Sequence, residues 1–209
     1  MNESVPVIGI ARHRIEVDGE GVTTLVAFHS CALRCKYCLN PQSLGEVKAS
    51  MKTYTAEELY VKVRVDELYF LATRGGVTFG GGEPLLRYGF IKDFRALCGN
   101  AWRIYVETSL NVPGECVREM LDVADGWIVD VKDMDSTIYR TYTGKDNAQV
   151  IENLQMLCDN GRQKDTLVRL PLIPGFNTDD DRQRSRERLE KMGFERFDMF
   201  EYIKQGDDE

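Results

Sequence analysis

Six short apolar runs, separated by segments with a helical pattern, constrain the fold of this chain of 209 residues more than any other feature. The runs cover residues 23–29, 75–82, 102–108, 126–132, 165–175 and 194–203. Apolar strands that alternate with helices form a parallel sheet whose faces are covered by those helices. The length suits a single domain over residues 1–209, and no linker or repeat interrupts it.

Five segments between these runs are predicted to be helices. The first, 55–72, opens with Thr55 followed three residues later by Glu58, which is the pattern of a capping box. The others are 87–99, 113–124, 147–161 and 178–193. Six strands do not close a barrel as eight do. We therefore predict a partial (β/α)6 barrel that stays open on one side.

The unusual motifs all follow predicted strands. Three cysteines come after the first strand, GGGEP after the second, ETS after the third, DVK after the fourth and PLIPG after the fifth. In parallel barrels and open α/β sheets, active sites lie at the C-terminal ends of the strands. These motifs are therefore expected to share one site.

The cysteines Cys31, Cys35 and Cys38 have the spacing C-x3-C-x2-C. An odd number of thiols cannot all pair, and with only His13 and His29 available a tetrahedral zinc site is disfavoured. A [4Fe–4S] cluster held by three thiolates leaves one iron open for a small molecule. The alternative is three buried small hydrophobic side chains, which the polar sequence ALRCKY between them disfavours.

The remaining motifs have structural alternatives as well. The glycines at 80, 81 and 82 favour either a tight turn or a close approach of a ligand to the backbone. Glu83 offers a carboxylate to an ammonium group, and Asp130 and Lys132 lie on one face of a strand, where they could simply form an ion pair. The isolated cysteines are interpreted as buried structural residues, and these are Cys98, Cys116 and Cys158.

Composition excludes some classes of partner. The chain has 27 basic and 34 acidic residues, a net charge of −7, which argues against nucleic acid and anionic membranes. No apolar run approaches the roughly 20 residues needed to span a bilayer, and the N-terminal sequence lacks a secretory pattern. We therefore expect a cytoplasmic protein, in which clustered cysteines bind metal or act in redox chemistry.

Together, the C-x3-C-x2-C spacing and the sequence GGE at Gly81, Gly82 and Glu83 resemble the signatures of the radical S-adenosylmethionine (SAM) superfamily. Longer stretches over nearly the whole chain are similar to the activases of glycyl-radical enzymes, the type that activates pyruvate formate-lyase. These stretches are 17–21, 33–41, 75–86, 125–134, 139–157 and 168–181.

The resemblance implies a mechanism. SAM binds the open iron, and an electron from the cluster cleaves it to a 5′-deoxyadenosyl radical. In activases, this radical takes a hydrogen atom from the Cα of a glycine in a partner enzyme. The cofactor performs the difficult chemistry, so no catalytic side chain is expected beyond the cluster and SAM. A flavodoxin or ferredoxin-type electron donor, anaerobic chemistry and a monomeric activase are implied as well.

The resemblance also assigns residues to SAM. The backbone of Gly81 and Gly82 would meet the methionyl amino group with Glu83 nearby, and Tyr37 and Asn40 would lie near the adenosyl group. Asp130 and Lys132 would hold the ribose and the methionyl carboxylate, supported by Arg169, with Thr108 beside them. Glu107, Thr108 and Asp130 would supply a monovalent-cation site.

Several positions depart from the activase pattern. Glu20 replaces the proline of DGPG, Glu107 replaces an aspartate, and Ile203 stands where activases have a histidine that reaches the cofactor. Residues 39–80 contain no cysteine, so the ferredoxin-like insert of several activases is absent and one cluster is expected. The missing histidine favours an alternative, an enzyme that acts on a small molecule or short peptide. A further hypothesis, from a different functional class, is a non-catalytic iron–sulfur protein. It leaves GGE, DVK and Arg169 without a role.

Overall fold

The computed structural model describes residues 3–202. These residues form one eight-stranded sheet, which curves into a partial barrel. The strands are β1 (Val5–Ile15), β2 (Val22–Phe28), β3 (Lys52–Tyr54), β4 (Gly76–Gly81), β5 (Arg103–Thr108), β6 (Gly126–Asp130), β7 (Thr166–Leu172) and β8 (Arg196–Glu201). Their order is β3-β1-β2-β4-β5-β6-β7-β8. Because β3 and β8 are the two edges, the barrel is open between them.

The six predicted strands correspond to β2 and β4–β8, which are parallel throughout. The sequence analysis missed β1 and β3, which extend the sheet in antiparallel pairing. Pro6, Gly9 and the charged residues near the end of β1 obscure a strand pattern. Only three residues form β3, and it pairs with a segment more than forty positions away.

Within residues 3–202, seven α-helices cover the sheet: α1 (Ala56–Val63), α2 (Glu67–Thr73), α3 (Tyr88–Cys98), α4 (Gly114–Arg118), α5 (Ser136–Thr143), α6 (Ala148–Asp159) and α7 (Asp179–Lys191). The capping box of Thr55 and Glu58 is confirmed at the start of α1. The predicted helix 55–72 is interrupted by a 3₁₀ turn at Arg64–Asp66. The predicted helix 113–124 is too long, because α4 ends at Arg118. The chain then continues in turns, in which the amide of Met120 donates a hydrogen bond to the carbonyl of Val117 and the amide of Val123 donates to that of Met120. The short α5 was not predicted.

The core lies between the sheet and the helices on its outer face. Phe79 of β4 packs edge-to-face against Phe94 of α3, with ring centroids 5.3 Å apart, and Phe94 also contacts Trp102. All three side chains are essentially inaccessible to solvent. This aromatic layer therefore packs against β4, the strand that ends in the glycine motif. No helix within residues 3–202 is both long enough and apolar enough to cross a membrane.

The loop between β1 and β2 folds into the barrel at the N-terminal ends of the parallel strands. Gly19 lies against the ring of Tyr105, where a Cβ atom would approach within 2.6 Å, and its φ of +139° favours glycine. Thr78 of β4 donates a hydrogen bond to the carbonyl oxygen of Asp18. A cavity of about 290 Å³ lies at this end. None of the predicted site residues lines it, so the candidate site is at the other end.

Candidate functional site

The cysteine motif occupies the loop that follows β2, at the C-terminal end of the parallel strands. The main-chain amides of Arg34 and Lys36 donate hydrogen bonds to the carbonyl oxygens of Thr143 and Tyr142, at 2.9 and 3.1 Å. The Ser30 amide bonds to the carbonyl of Ser43 at 3.0 Å, which closes the base of the loop. The unpredicted helix α5 therefore supports the cysteine loop.

The three motif thiols are free and half-buried. Burial raises the pKa of Cys31, and it raises the pKa of Cys35 to about 12. Without a metal, the thiols of Cys31 and Cys35 are therefore protonated at neutral pH. Because thiolates bind metal, iron has to displace these protons, and its binding is expected to be coupled to proton release.

Most of the predicted site residues line a single cavity. Its lining includes all three motif cysteines together with Asn40, Gly81, Gly82, Glu107, Thr108, Asp130 and Lys132. These residues come from the cysteine loop and from the ends of β4, β5 and β6. The cysteine, glycine, ETS and DVK motifs therefore meet at one cavity at the strand ends, whereas PLIPG contributes no residue to its lining.

The glycine motif brings the backbone close beneath the cysteine loop. Gly81 has φ +91°, and a Cβ atom there would lie 2.6 Å from the Cβ of Ala27. At Gly82, a Cβ would collide with the carbonyl oxygen of Ser30. The amides of Gly82 and Glu83 donate to the carbonyls of Phe28 and Ser30 at 2.9 and 2.8 Å. Both glycines are thus required by the fold, and they leave main-chain atoms exposed to the cavity.

Glu83 does not line the cavity, since its side chain is 1% exposed and lies behind the glycines. Its carboxylate accepts hydrogen bonds from the hydroxyl groups of Thr108 (2.6 Å) and Ser109 (2.7 Å) and from the Ser109 amide (3.0 Å). Burial raises the pKa of Glu83, and these bonds oppose the rise. Glu83 therefore joins the end of β4 to the end of β5, and its contact with SAM stays a prediction.

Asp130 and Lys132 form an ion pair at the end of β6. Lys132 also donates to the hydroxyl of Tyr202 at 2.8 Å, and its Nζ lies 5.2 Å from the centre of that ring. Burial lowers the pKa of Lys132, but Asp130, Tyr202 and Cys35 together outweigh burial and hold this pKa well above its usual range. Asp130 Oδ1 is buried without a hydrogen-bond partner among the described residues, and because Asp130 lines the cavity, this oxygen can accept a hydrogen bond from a ligand there.

Arg169 is not part of the cavity lining. Its guanidinium donates to Glu107 at 2.9 Å and to the carbonyl of Val17 at 2.9 Å. It also lies 3.4 Å from a carboxylate oxygen of Asp198 and 3.7 Å from one of Asp18. Arg169 thus reaches the cavity through Glu107, and its direct contact with SAM stays a prediction.

Tyr37 packs edge-to-face against Phe176, with ring centroids 5.5 Å apart, and its hydroxyl donates to the carbonyl of Pro174 at 3.1 Å. It joins the cysteine loop to the turn after β7 and is not part of the cavity lining. Its place near the adenosyl group stays a prediction. The predicted role of Ile203 falls outside the described residues.

Within residues 3–202, no group of three or more histidine, cysteine, aspartate or glutamate side chains is arranged to hold one metal ion. A [4Fe–4S] cluster does not require several side chains to converge on one ion, because each thiolate binds its own iron. Three half-buried thiols in the lining of one cavity are therefore compatible with such a cluster. The monovalent-cation site at Glu107, Thr108 and Asp130 stays a prediction, although all three line the cavity.

Sequence reasoning missed some cavity residues. Leu33, Leu39, Ser109 and Tyr202 also contribute to the lining. Ser109 directly follows the noted Glu107 and Thr108, so its position at the strand end was a usable signal. Tyr202 lies in the divergent sequence EYI, and only the fold shows that its hydroxyl contacts Lys132.

Comparisons with known proteins agree with this geometry. The chain matches the Radical SAM superfamily over residues 25–189 and belongs to it. Members of this family use a [4Fe–4S] cluster and SAM. The chain is similar to named activating enzymes of this family.

Two relatives illustrate the similarity. The (2S)-3-sulfopropanediol dehydratase activating enzyme of Klebsiella oxytoca is 34% identical, over 86% of this chain and 75% of its own length. The pyruvate formate-lyase-activating enzyme of Clostridium pasteurianum is 37% identical, over 68% of this chain and 63% of its own length. Among solved structures, Streptococcus suis SuiB bound to S-adenosylmethionine superposes with a TM-score of 0.65 at 15% identity, over 88% of this chain and 43% of SuiB. That likeness supports the radical SAM fold.

Proposed function

We propose that this chain is a single radical SAM domain, over residues 1–209, that activates a glycyl-radical enzyme by removing a hydrogen atom from one of its glycines. The observation that carries the proposal is the convergence of three free thiols, the Gly81–Gly82 backbone and the Asp130–Lys132 pair on one cavity. The similarity to named activating enzymes supplies the class of substrate.

The residues of the cavity fit both cofactors. Cys31, Cys35 and Cys38 would each hold one iron, and the fourth iron would be open to SAM. The exposed backbone of Gly81 and Gly82 would accept the methionyl amino group. When bound, the cluster and SAM supply a 5′-deoxyadenosyl radical.

Asp130 and Lys132 would bind different parts of SAM. Asp130 Oδ1, which lacks a donor, would accept a hydrogen bond from a ribose hydroxyl. Lys132 would hold the methionyl carboxylate while Tyr202 keeps its ammonium group in place. Its high pKa keeps Lys132 charged over the whole neutral range. The cofactor would thus be held at both ends by groups already oriented by the fold.

The substrate loop would enter through the open side of the barrel. A Cα–H bond offers no polar group for the enzyme to recognise, so selectivity has to come from the shape of the substrate loop. An aromatic cluster lies beside the cavity, formed by Tyr142, Ile173 and Tyr202 with Tyr37, Phe176 and Phe200 packed against it. We propose that the loop docks near the turn at residues 171–177 and near residues 201–204, of which 203 and 204 lie outside the described residues.

The remaining parts of the proposal concern the surroundings of the enzyme. A flavodoxin or ferredoxin-type protein would supply electrons, and Glu107, Thr108 and Asp130 would bind a monovalent cation. The chain would act as a monomer in the cytoplasm, where cysteines stay reduced.

Electron paramagnetic resonance tests the proposal. The reconstituted protein is mixed anaerobically with SAM, titanium(III) citrate and either pyruvate formate-lyase or (2S)-3-sulfopropanediol dehydratase. A doublet-like glycyl signal in either partner, stoichiometric with 5′-deoxyadenosine, is the expected result. Formation of 5′-deoxyadenosine with no protein radical on any glycyl-radical enzyme tried would remove the activase assignment.

A second candidate is a radical SAM enzyme that acts catalytically on a small molecule or a short peptide. Ile203 in place of the activase histidine favours it, because a hydrogen-bonding group near the cofactor is lost. This alternative predicts many turnovers of 5′-deoxyadenosine per enzyme and no persistent protein radical.

A further inference from the structure

A basic groove lies at the edge of the sheet formed by β1 and β3. Lys48, Lys52 and Lys62 line it together with the partly buried apolar side chains of Ile8 and Ile10, in a cavity of about 480 Å³. The three lysines are exposed. We refer to these five residues as the lysine groove.

The charge of the lysine groove contrasts with that of the whole chain. The net charge is −7, yet the lining of the groove contains no aspartate or glutamate. None of the three lysines forms an ion pair within the described residues, whereas many other basic side chains of the chain do. Unpaired like charges that are grouped beside apolar side chains attract a negatively charged partner.

The lysine groove is connected to the cysteine motif by a few residues. Gln42 lines the groove, whereas Cys38 and Asn40 line the cofactor cavity. Four residues span at most about 14 Å, so this is the upper limit of the Cα separation between Cys38 and Gln42. The lysine groove and the cofactor cavity are therefore close to each other along this segment of the chain.

We propose that the lysine groove is the docking surface for a small acidic one-electron carrier protein of the flavodoxin or ferredoxin type. This inference rests on the proposed function, because only a cluster that must be reduced needs such a carrier. One electron leaves the reduced carrier, whose flavin or iron–sulfur centre is oxidised by one unit, and it reduces the bound cluster by one unit. No proton or other group is transferred in this step.

The charge distribution would also orient the carrier. The acidic remainder of the surface repels a negatively charged protein, while the lysine groove attracts it. An acidic carrier would therefore arrive with its redox centre towards the cysteine loop. The barrel is open between β3 and β8. The substrate loop would dock at the β8 edge of this opening, whereas the lysine groove includes Lys52 of β3.

Charge reversal tests the docking surface directly. The variant Lys48→Glu with Lys52→Glu is compared with the matched control Lys164→Glu with Lys191→Glu, which reverses two exposed lysines on the β7–β8 half of the fold. Binding of oxidised flavodoxin is measured by isothermal titration calorimetry with the iron-loaded protein. The groove variant is expected to weaken binding about tenfold or more, and the control to change it little. Carbodiimide cross-linking with mass spectrometry should join flavodoxin carboxylates to Lys48, Lys52 or Lys62.

Activity assays separate this inference from the proposed function. With flavodoxin as reductant, the groove variant should form 5′-deoxyadenosine slowly, but with titanium(III) citrate it should match the wild type. Equal flavodoxin affinity in the two variants, or cross-links at Lys164 and Lys191 only, would overturn the docking surface. So would a groove variant that binds flavodoxin normally and loses affinity for the glycyl-radical enzyme. Absence of 5′-deoxyadenosine with titanium(III) citrate in the wild type would instead contradict the proposed function.

Discussion

The side-chain amide of Asn40 donates a hydrogen bond to the main-chain carbonyl oxygen of Gly81, with a nitrogen–oxygen distance of 3.0 Å. This bond joins the loop that carries the three cysteines to the end of β4. Both residues line the cofactor cavity. The bond therefore fixes the spacing between the thiols that would bind iron and the backbone that would bind SAM.

Removal of this link should weaken SAM binding without loss of iron. The contribution of one such bond is about 0.5–1.5 kcal/mol, so Asn40→Ala should lower SAM affinity about two- to tenfold. Equilibrium dialysis with the reconstituted protein measures the affinity. Asn160→Ala is the matched control, because that amide also donates to a backbone carbonyl but on the exposed end of α6. Wild-type affinity in Asn40→Ala would show that the spacing is set by other contacts.

The cluster ligands are tested by iron analysis. Anaerobically reconstituted wild type should bind about four irons. Cys31→Ala, Cys35→Ala and Cys38→Ala should each abolish SAM cleavage, while Cys98→Ala, Cys116→Ala and Cys158→Ala should not. The first group lines the cavity, whereas the second group lies outside its lining. A requirement for Cys98 equal to that for Cys35 would disprove the ligand assignment.

The ion pair of β6 is tested by SAM affinity at constant iron content. Asp130→Ala and Lys132→Ala each remove a hydrogen bond to a charged group, worth about 1.5–3 kcal/mol, so affinity should fall about tenfold to a hundredfold. Tyr202→Phe removes only the hydroxyl that accepts a hydrogen bond from Lys132, so the loss of SAM affinity should be smaller. Unchanged SAM affinity in both alanine variants would show that Asp130 and Lys132 form only a structural ion pair.

The stability of the fold depends on one buried carboxylate far from the cofactors. Asp66 is fully buried and accepts hydrogen bonds from Arg12 and from the hydroxyl of Thr24, the latter at 2.9 Å. Asp66→Ala would leave the buried Thr24 hydroxyl without its acceptor, at a cost of about 1–3 kcal/mol in the free energy of unfolding. Guanidinium denaturation measures this change, and Asp122→Ala, on an exposed position, is the control.

The same carboxylate predicts a pH dependence. Burial raises the pKa of Asp66, but the hydrogen bonds from Arg12 and Thr24 outweigh burial and lower it below its usual range. A lowered folded-state pKa stabilises the protein above the unfolded pKa of about 3.9, and this is lost as the pH falls through the folded value. The difference in unfolding free energy between wild type and Asp66→Ala should therefore be constant near neutrality and shrink below about pH 4. A difference that grows on acidification would contradict the assignment.

Sequence reasoning located most of the site because its motifs depend on local chemistry. The cysteine spacing, the glycines at 81 and 82 and the DVK residues are each readable within a few positions. The parallel strands are also local patterns of apolar residues. The barrel then brings them together, because parallel strands end at one face.

The elements that the sequence did not reveal are held by distant contacts. Helix α5 contains threonine, tyrosine and isoleucine, which are weak helix formers. It is stabilised by the Asp135 side chain at its N-terminus and by burial of Tyr139 and Tyr142. The contact of Tyr202 with Lys132 joins residues 70 positions apart. The contact of Tyr202 has no signal within a short window of sequence, whereas Asp135 before α5 and Gly144 after it are local cap signals that the sequence analysis did not use.

The most direct test of the central claim follows the transferred hydrogen atom. A partner glycyl-radical enzyme is prepared with deuterium at its glycine Cα atoms and is mixed anaerobically with the reduced protein and SAM. The account predicts one deuterium in 5′-deoxyadenosine, measured by mass spectrometry, together with a glycyl radical in the partner. Deuterium-free 5′-deoxyadenosine, with label transferred instead from a deuterated small metabolite, would contradict the activase function and leave only the radical SAM assignment.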